Sequence, residues 1–260
     1  MAAKTISLKF NKRRLSGFTG NQLKMIAFIL MLCDHIGFVL IENGVLYGQN
    51  PMYWNLALQT TVGQRWYMLA RVLRFLGRLS FPIFAFLTAE GFAHTRNIGR
   101  YILKLAAFAV ISEVPFDLAI KGTVYYPEYQ NVMFTLLFGV MALYFADKIK
   151  KKHIIFQWIV GAFFSGAAYL MKSDYGAIGV LLIVIMYWFR LDKKLCMFTG
   201  AFLSAMESLS YCGVAALSYG FIWFYNGRRG ELPMKYFFYV AYPAHLILFF
   251  AMRYLANLQM

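Results

Sequence analysis

Apolar runs of about twenty residues, separated by short basic clusters, limit this chain's fold more than any other feature, because a helix of that length crosses roughly 30 Å of hydrocarbon. Nine such runs are read near 22–42, 68–93, 98–120, 131–147, 154–172, 175–190, 194–207, 209–226 and 235–257. The sixth and seventh are short for full spans. None alternates strictly, and most exceed the strand length of a membrane barrel. The expected fold class is therefore all-α: a polytopic integral membrane helical bundle with about nine transmembrane helices. No internal repeat, low-complexity stretch or linker divides the chain. Residues 1–21 are expected to form a basic cytoplasmic segment and 22–257 a single transmembrane domain, with 43–64 capping the bundle through a short helix.

Basic residues set the topology, because cytoplasmic loops collect Lys and Arg. If the segment holding Lys4, Lys9, Lys12, Arg13 and Arg14 is inside, every second connection should be basic. Those connections carry Arg96 and Arg100; Lys148, Lys150, Lys151 and Lys152; Arg190, Lys193 and Lys194; and Arg228, Arg229 and Lys235. The intervening ones carry Glu42, Lys121 with Glu128, Lys172 with Asp174, and Glu207, with no basic cluster. The expectation is a multi-pass cytoplasmic-membrane protein with its amino terminus inside and its carboxyl terminus outside. No cleavable secretory peptide fits the long first run.

Composition agrees with the lipid bilayer as partner: 61% of residues are hydrophobic and 14% charged, against about half and a quarter in soluble domains. The net charge of +15 is spread between apolar runs, not over one surface, so nucleic acid is not the expected partner. Cys33, Cys196 and Cys212 have neither metal-ligand nor disulfide spacing.

Ionisable residues within the runs are the functional signal, since each costs about 2.5–3.5 kcal/mol or more at a helix centre. The first run holds Asp34 and His35, and the second holds Arg71, Arg74, Arg78, Glu90 and His94. Glu113 and Asp117 share a face of the third around Pro115, which is expected to bend or open that helix. Asn131, Asp174 and His245 follow in later runs. At 1.5 Å per residue, His35 lies roughly 20 Å from the cytoplasmic edge. Glu113, Asp117, Arg78, Asn131 and Asp174 fall in the same outer half, His245 at mid-depth, and Glu90, His94 and Arg96 at the inner edge. Two polar layers result. Structural ion pairing or snorkelling is the alternative for each residue taken singly. Four histidines without ligand spacing predict no metal.

The strings MLCDHIG, GRLSFPIFAFLTAEGFAHTRNIGRY, FAVISEVPFDLA, QNVMFTLLFG, SDYGAIGVLLI, FYNGRRG and KYFFYVAYPAHLILFF together resemble the TraX family. Its members are membrane proteins linked to amino-terminal acetylation of pilin in conjugative transfer, and are similar to transmembrane acyltransferases. The resemblance covers Asp34 to Phe250 and implies an acetyltransferase that uses acetyl-CoA as donor substrate. It carries over onto Asp34, His35, Arg78, Glu90, His94, Arg96, Glu113, Asp117, Asn131, Asp174, Tyr175, Asn226, Arg228 and His245. The acceptor, an amine or hydroxyl on an exported protein or surface polymer, is open.

The mechanism read on this basis gives His35 the base role, or lets it carry the acetyl group itself. Asp34 or Glu113 orients the imidazole, and Arg78 stabilises the oxyanion or pairs with the acids. Asp117, Asn131, Asp174, Tyr175 and His245, the runner-up base, are expected to bind the acceptor. Glu90, His94, Arg96, Asn226, Arg228 and Arg229 are expected to bind the donor, with Arg96, Arg100, Arg228 and Arg229 meeting its phosphates. The rival reading is a proton-coupled transporter or exporter; a third is a non-catalytic assembly factor.

Overall fold

The computed structural model of the chain describes residues 17–151, 153–230 and 237–256. Lys4, Lys9, Lys12, Arg13, Arg14, Lys152 and Lys235 lie outside the described residues, as does most of the expected 1–21 segment. Among the described residues the chain is all-helical, with isolated bridges and no strand. Three helical stretches are long and apolar enough to cross a membrane: Gly20–Val45, Thr61–His94 and Phe237–Leu255.

The first stretch begins as α1 (Gly20–His35), closed by a capping box in which Thr19 Oγ1 accepts from Gln22 N and the Gln22 side chain accepts from Thr19 N. At Ile36 it widens into a π-helix, Ile36–Val45, a geometry of i→i+5 bonds that is rare at this length. The regular helix read over 22–42 is therefore corrected immediately after His35. Helix α2 (Pro51–Leu58) fills the expected cap. The second expected span starts seven residues earlier than 68 and is two helices, α3 (Thr61–Gly77) and α4 (Ser80–His94), meeting at Arg78–Leu79.

This pair runs antiparallel to α1 at close range, with Ser80 Oγ donating to Ala27 O at 2.8 Å. Glycine permits the approach. A Cβ on Gly37 would sit 3.0 Å from Arg74 Cγ, and one on Gly77 would sit 2.8 Å from Asp34 Cα.

Helix α5 (Ile98–Lys121) is unbroken across Pro115, so the expected local opening does not occur. Helices α6 (Val132–Lys148), α7 (Ile154–Leu170) and α8 (Gly176–Trp188) pack on one another, and α9 (Lys193–Glu207) packs on α8. The eighth expected span, 209–226, is not one helix. Cys212 and Gly213 take left-handed φ of 56° and 71°, splitting it into a turn at Leu209–Tyr211 and a return through Val214–Leu217 and α10 (Ser218–Trp223). Ser208 holds that break closed, donating to Ser204 O and accepting from Ala215 N. Helix α11 (Phe237–Leu255) packs along α5 and the π-helix.

The core lies where α1, α4, α5, α6, α8 and α11 face one another. The outer faces of these helices stay apolar: Leu103 and Val110 on α5, Phe163 on α7 and Leu248 on α11 are all more than half exposed. Such a belt fits a protein whose solvent on that side is lipid.

Candidate active site

Two cavities abut inside the bundle, sharing Met31, Phe84, Val132 and Tyr242 in their walls. The first, of about 240 Å³, is lined by Asp34, His35, Arg74, Arg78, Tyr129, Asp174 and Tyr175. The second, of about 810 Å³, is lined by Lys24, Thr88, Glu90, His94, Arg96, Tyr101, Tyr225 and Arg229.

Charge in the smaller chamber is paired across helices. Arg78 Nη2 donates to Asp34 Oδ1 at 3.0 Å and Oδ2 at 3.3 Å, because Gly77 brings α3 against α1 one residue earlier. Arg78 Nε has no partner among the described residues. Arg71, Arg74 and Arg78 form the expected stripe, and all three meet Tyr211 at the tip of the broken segment. Arg71 lies over its ring at 4.2 Å and Arg78 at 5.4 Å, while Arg74 Nε donates to its hydroxyl at 3.0 Å. Arg74 also faces Glu42 at 3.6 Å.

The opposite wall is the turn before α8. Tyr175 holds a left-handed φ of 62°, uncommon for an aromatic residue. Its ring stacks on Phe81 with centroids 3.7 Å apart, and Thr135 bonds both Ser173 and the Asp174 carbonyl beneath it. Tyr129 Oη donates to Asp174 Oδ1 at 2.5 Å. Burial raises both groups above their ordinary values, which keeps Tyr129 a neutral donor.

His35 and His245 touch, Nδ1 to Nε2, at 2.6 Å. The depth count had set them on different levels. The contact puts them on one, because α11 and the π-helix pack side by side. No carboxylate bonds either ring among the described residues.

Glu113, Asp117 and Asn131 lie outside both cavity walls. Asn131 Oδ1 caps α6 at Met133 N, while its amide donates to Ala109 O and to Glu113 Oε2. Asp117 Oδ2 accepts from Tyr126 N at 2.8 Å. These three stitch the 122–131 loop to α5. At the other end, Asn226 serves backbone order, donating to Gly17 O and accepting from Arg228 N. Arg228 O and Arg229 O accept from Gly20 N and Asn21 N of the first turn of α1. Arg228 and Arg100 are exposed and line neither cavity, whereas Arg96 and Arg229 line the larger one.

In that larger cavity Glu90 is buried, His94 Nδ1 donates to its carbonyl at 2.9 Å, and the Tyr225 hydroxyl meets its carboxylate. Sequence reading passed over Lys24, Tyr129, Tyr211 and Tyr225. Lys24 alone carried a signal: it is a charge inside an apolar run, where a charged side chain is costly. Among the described residues no group of three or more His, Cys, Asp or Glu side chains could hold a metal ion.

The geometry offers an imidazole and a guanidinium in a small chamber, next to a large basic-rimmed one. That set can accept a proton and stabilise an oxyanion. A family model described as "TraX protein" matches residues 19–253. A relative from Dichelobacter nodosus, "Probable fimbrial assembly protein FimC, serogroup H1", is 25% identical over 255 aligned positions, covering 89% of this chain and 94% of the relative. No solved structure matches.

Proposed function

The chain belongs to the TraX family, and from that premise we propose that it is a membrane-embedded acetyltransferase moving an acetyl group from cytoplasmic acetyl-CoA to an amine or hydroxyl acceptor. One observation carries this reading: the small His35 chamber and the large basic chamber meet at a common wall. An active site for a long thioester donor needs that arrangement, one space for the body of the donor and a smaller one for the reacting carbon.

The larger cavity is of the size that holds extended small molecules, and Lys24, Arg96 and Arg229 supply cations for the donor's phosphates. Glu90 and His94 line the same wall. The acyl end lies past Met31 and Phe84, beside His35. There His35 takes the proton of the incoming acceptor as the acceptor attacks the thioester carbonyl. Arg78, whose guanidinium lines the chamber, stabilises the oxyanion. Asp34 holds Arg78, and Asp174 with Tyr175 forms the acceptor's side of the chamber. Glu113, Asp117 and Asn131 support that side by fixing the loop above it.

The membrane assignment belongs to the same proposal. About nine passes, with the basic connections cytoplasmic, put the large cavity inside and the His35 chamber toward the outer face. Helix α8, with 13 residues, and the broken segment with α10 count among those passes as short, tilted elements. The relative's name speaks of fimbrial assembly, which makes an exported pilin-like subunit the first acceptor to try.

The experiment is acetyl transfer or acetyl-CoA hydrolysis by the purified, detergent-extracted chain, with mass spectrometry of the exported proteins of cells with and without it. The expected result is acetyl-CoA consumption that requires His35 and one acetyl mass lost from an exported molecule. No consumption, together with solute uptake into proteoliposomes, supports the transporter instead.

A further inference from the structure

We infer that His245 is a positioning residue that fixes the tautomer of His35, so that His35 Nε2 is the atom that accepts the acceptor's proton; this rests on the acetyltransferase reading. Hydrogen-bond logic determines the tautomer. His245 Nδ1 lies 2.8 Å from Ala241 O, and a backbone carbonyl can only accept. The proton is therefore on His245 Nδ1. In neutral His245 the other nitrogen, Nε2, then has a free lone pair. It meets His35 Nδ1 at 2.6 Å, so the hydrogen between them belongs to His35 Nδ1. His35 Nε2 is left bare, with no protein partner among the described residues, in a side chain that lines the small chamber.

Ring geometry agrees with an in-line bond. The two imidazoles are within 12° of parallel with centroids 4.9 Å apart. Phe81 and Tyr175, a true face-to-face pair, are 3.7 Å apart. Parallel rings with wider-set centres and a 2.6 Å N···N contact lie edge to edge in one plane, which is the arrangement a straight N–H···N bond needs. His245 is held there by edges and faces of Phe28, Tyr242 and Phe249, at centroid distances of 6.0, 5.6 and 5.6 Å. Asp34, the acid next to His35 in sequence, is engaged by Arg78 instead.

The relay thus does with a carbonyl-anchored imidazole what a carboxylate does in a Ser-His-Asp triad. In the reaction, the acceptor's N–H or O–H proton moves to His35 Nε2 while the acceptor bonds the thioester carbon. The C–S bond then breaks and the proton passes from Nε2 to the thiolate sulfur, leaving CoA as the thiol and His35 neutral. During the cationic interval the added charge is shared through the Nδ1–H···Nε2 bond.

The test uses the full chain labelled with ¹⁵N-histidine in nanodiscs, with the His35 signals identified by their loss in H35A. The expected spectrum has a protonated Nδ1 and a bare Nε2 on His35; a protonated Nε2 with bare Nδ1 overturns the inference. This readout needs no activity, so it stands apart from the acetyltransferase reading, which a failure of the wild type to consume acetyl-CoA overturns. In kinetics, H245L should lower kcat about 10²- to 10⁴-fold, the range seen when a base loses its tautomer or is removed, with the KM for acetyl-CoA within about twofold. H245Q, whose side-chain carbonyl can accept from His35 Nδ1–H, should recover most of that loss. Equal loss in both variants overturns the positioning role.

Discussion

The two chambers differ in size and in how their charges are held, and under the proposed function that difference separates chemistry from binding. The smaller one, about 240 Å³, is wired: Arg78 to Asp34, Arg74 to Glu42 and Tyr211, Tyr129 to Asp174, His35 to His245. The larger one, about 810 Å³, has a rim of exposed cations, Arg96 and Arg229, with its links gathered on Glu90, which Tyr225 and His94 meet. A wired space holds reacting atoms in register. An open basic space accepts a large flexible polyanion and tolerates change.

The largest effect expected from this contrast is at His35. Replacing it with Ala removes the proton acceptor and should lower transfer about 10³- to 10⁴-fold, measured as acetyl-CoA turnover, while the extracted protein keeps its helical circular dichroism. Next comes the wiring. Arg78→Ala removes the hydrogen-bonded partner of the Asp34 carboxylate and leaves it only the more distant Arg74, which should cost about 3 kcal/mol of stability. The double variant with Asp34→Ala should cost less than the sum of the two single changes, a coupling that a double-mutant cycle reads directly. Gly77→Ala forces α1 and α3 apart and should cost about 1–3 kcal/mol, seen as a lower unfolding temperature together with lost turnover.

Changes in the larger chamber should be milder and of another kind. Lys24→Ala or Arg229→Ala should each raise the KM for acetyl-CoA roughly fivefold with kcat little changed, since each removes one partly screened charge contact. A matching fall in kcat at saturating donor would break the division between the chambers. The smallest effect is at Asp117, outside both walls: Asp117→Asn weakens one bond to Tyr126 N, costs about 1 kcal/mol in thermal unfolding, and leaves turnover at the wild-type level.

Much of this contrast was legible in the sequence. Apolar runs fixed the helices to within a few residues for α5, α6, α7 and α9, and helical periodicity placed Arg71, Arg74 and Arg78 on one stripe. Depth counting separated Glu90, His94 and Arg96 from Asp34, His35 and Arg78, and the two groups do line different cavities. Periodicity says nothing, however, about what stands opposite. Tyr211 reaches the stripe only because Cys212 and Gly213 break the segment read as an eighth span. Counting each run from its own first residue assumes that the helices start at one level, and the 2.6 Å contact of His35 with His245 overturns that assumption. Polar residues that cap and stitch, such as Asn131 and Asp117, look the same in a sequence as those that bind. Only their partners, Met133 N and Tyr126 N, tell them apart.

Under the proposed function a thioester donor lying in the larger chamber reaches His35 through the shared wall at Met31, Phe84, Val132 and Tyr242. A cryo-electron microscopy map of the chain with a non-hydrolysable acetyl-CoA analogue tests it most directly. The expected map has phosphates beside Lys24 and Arg229, the arm passing Phe84, and the acyl carbon within reach of His35 Nε2. An analogue bound elsewhere, or one whose acyl end points away from His35, contradicts it.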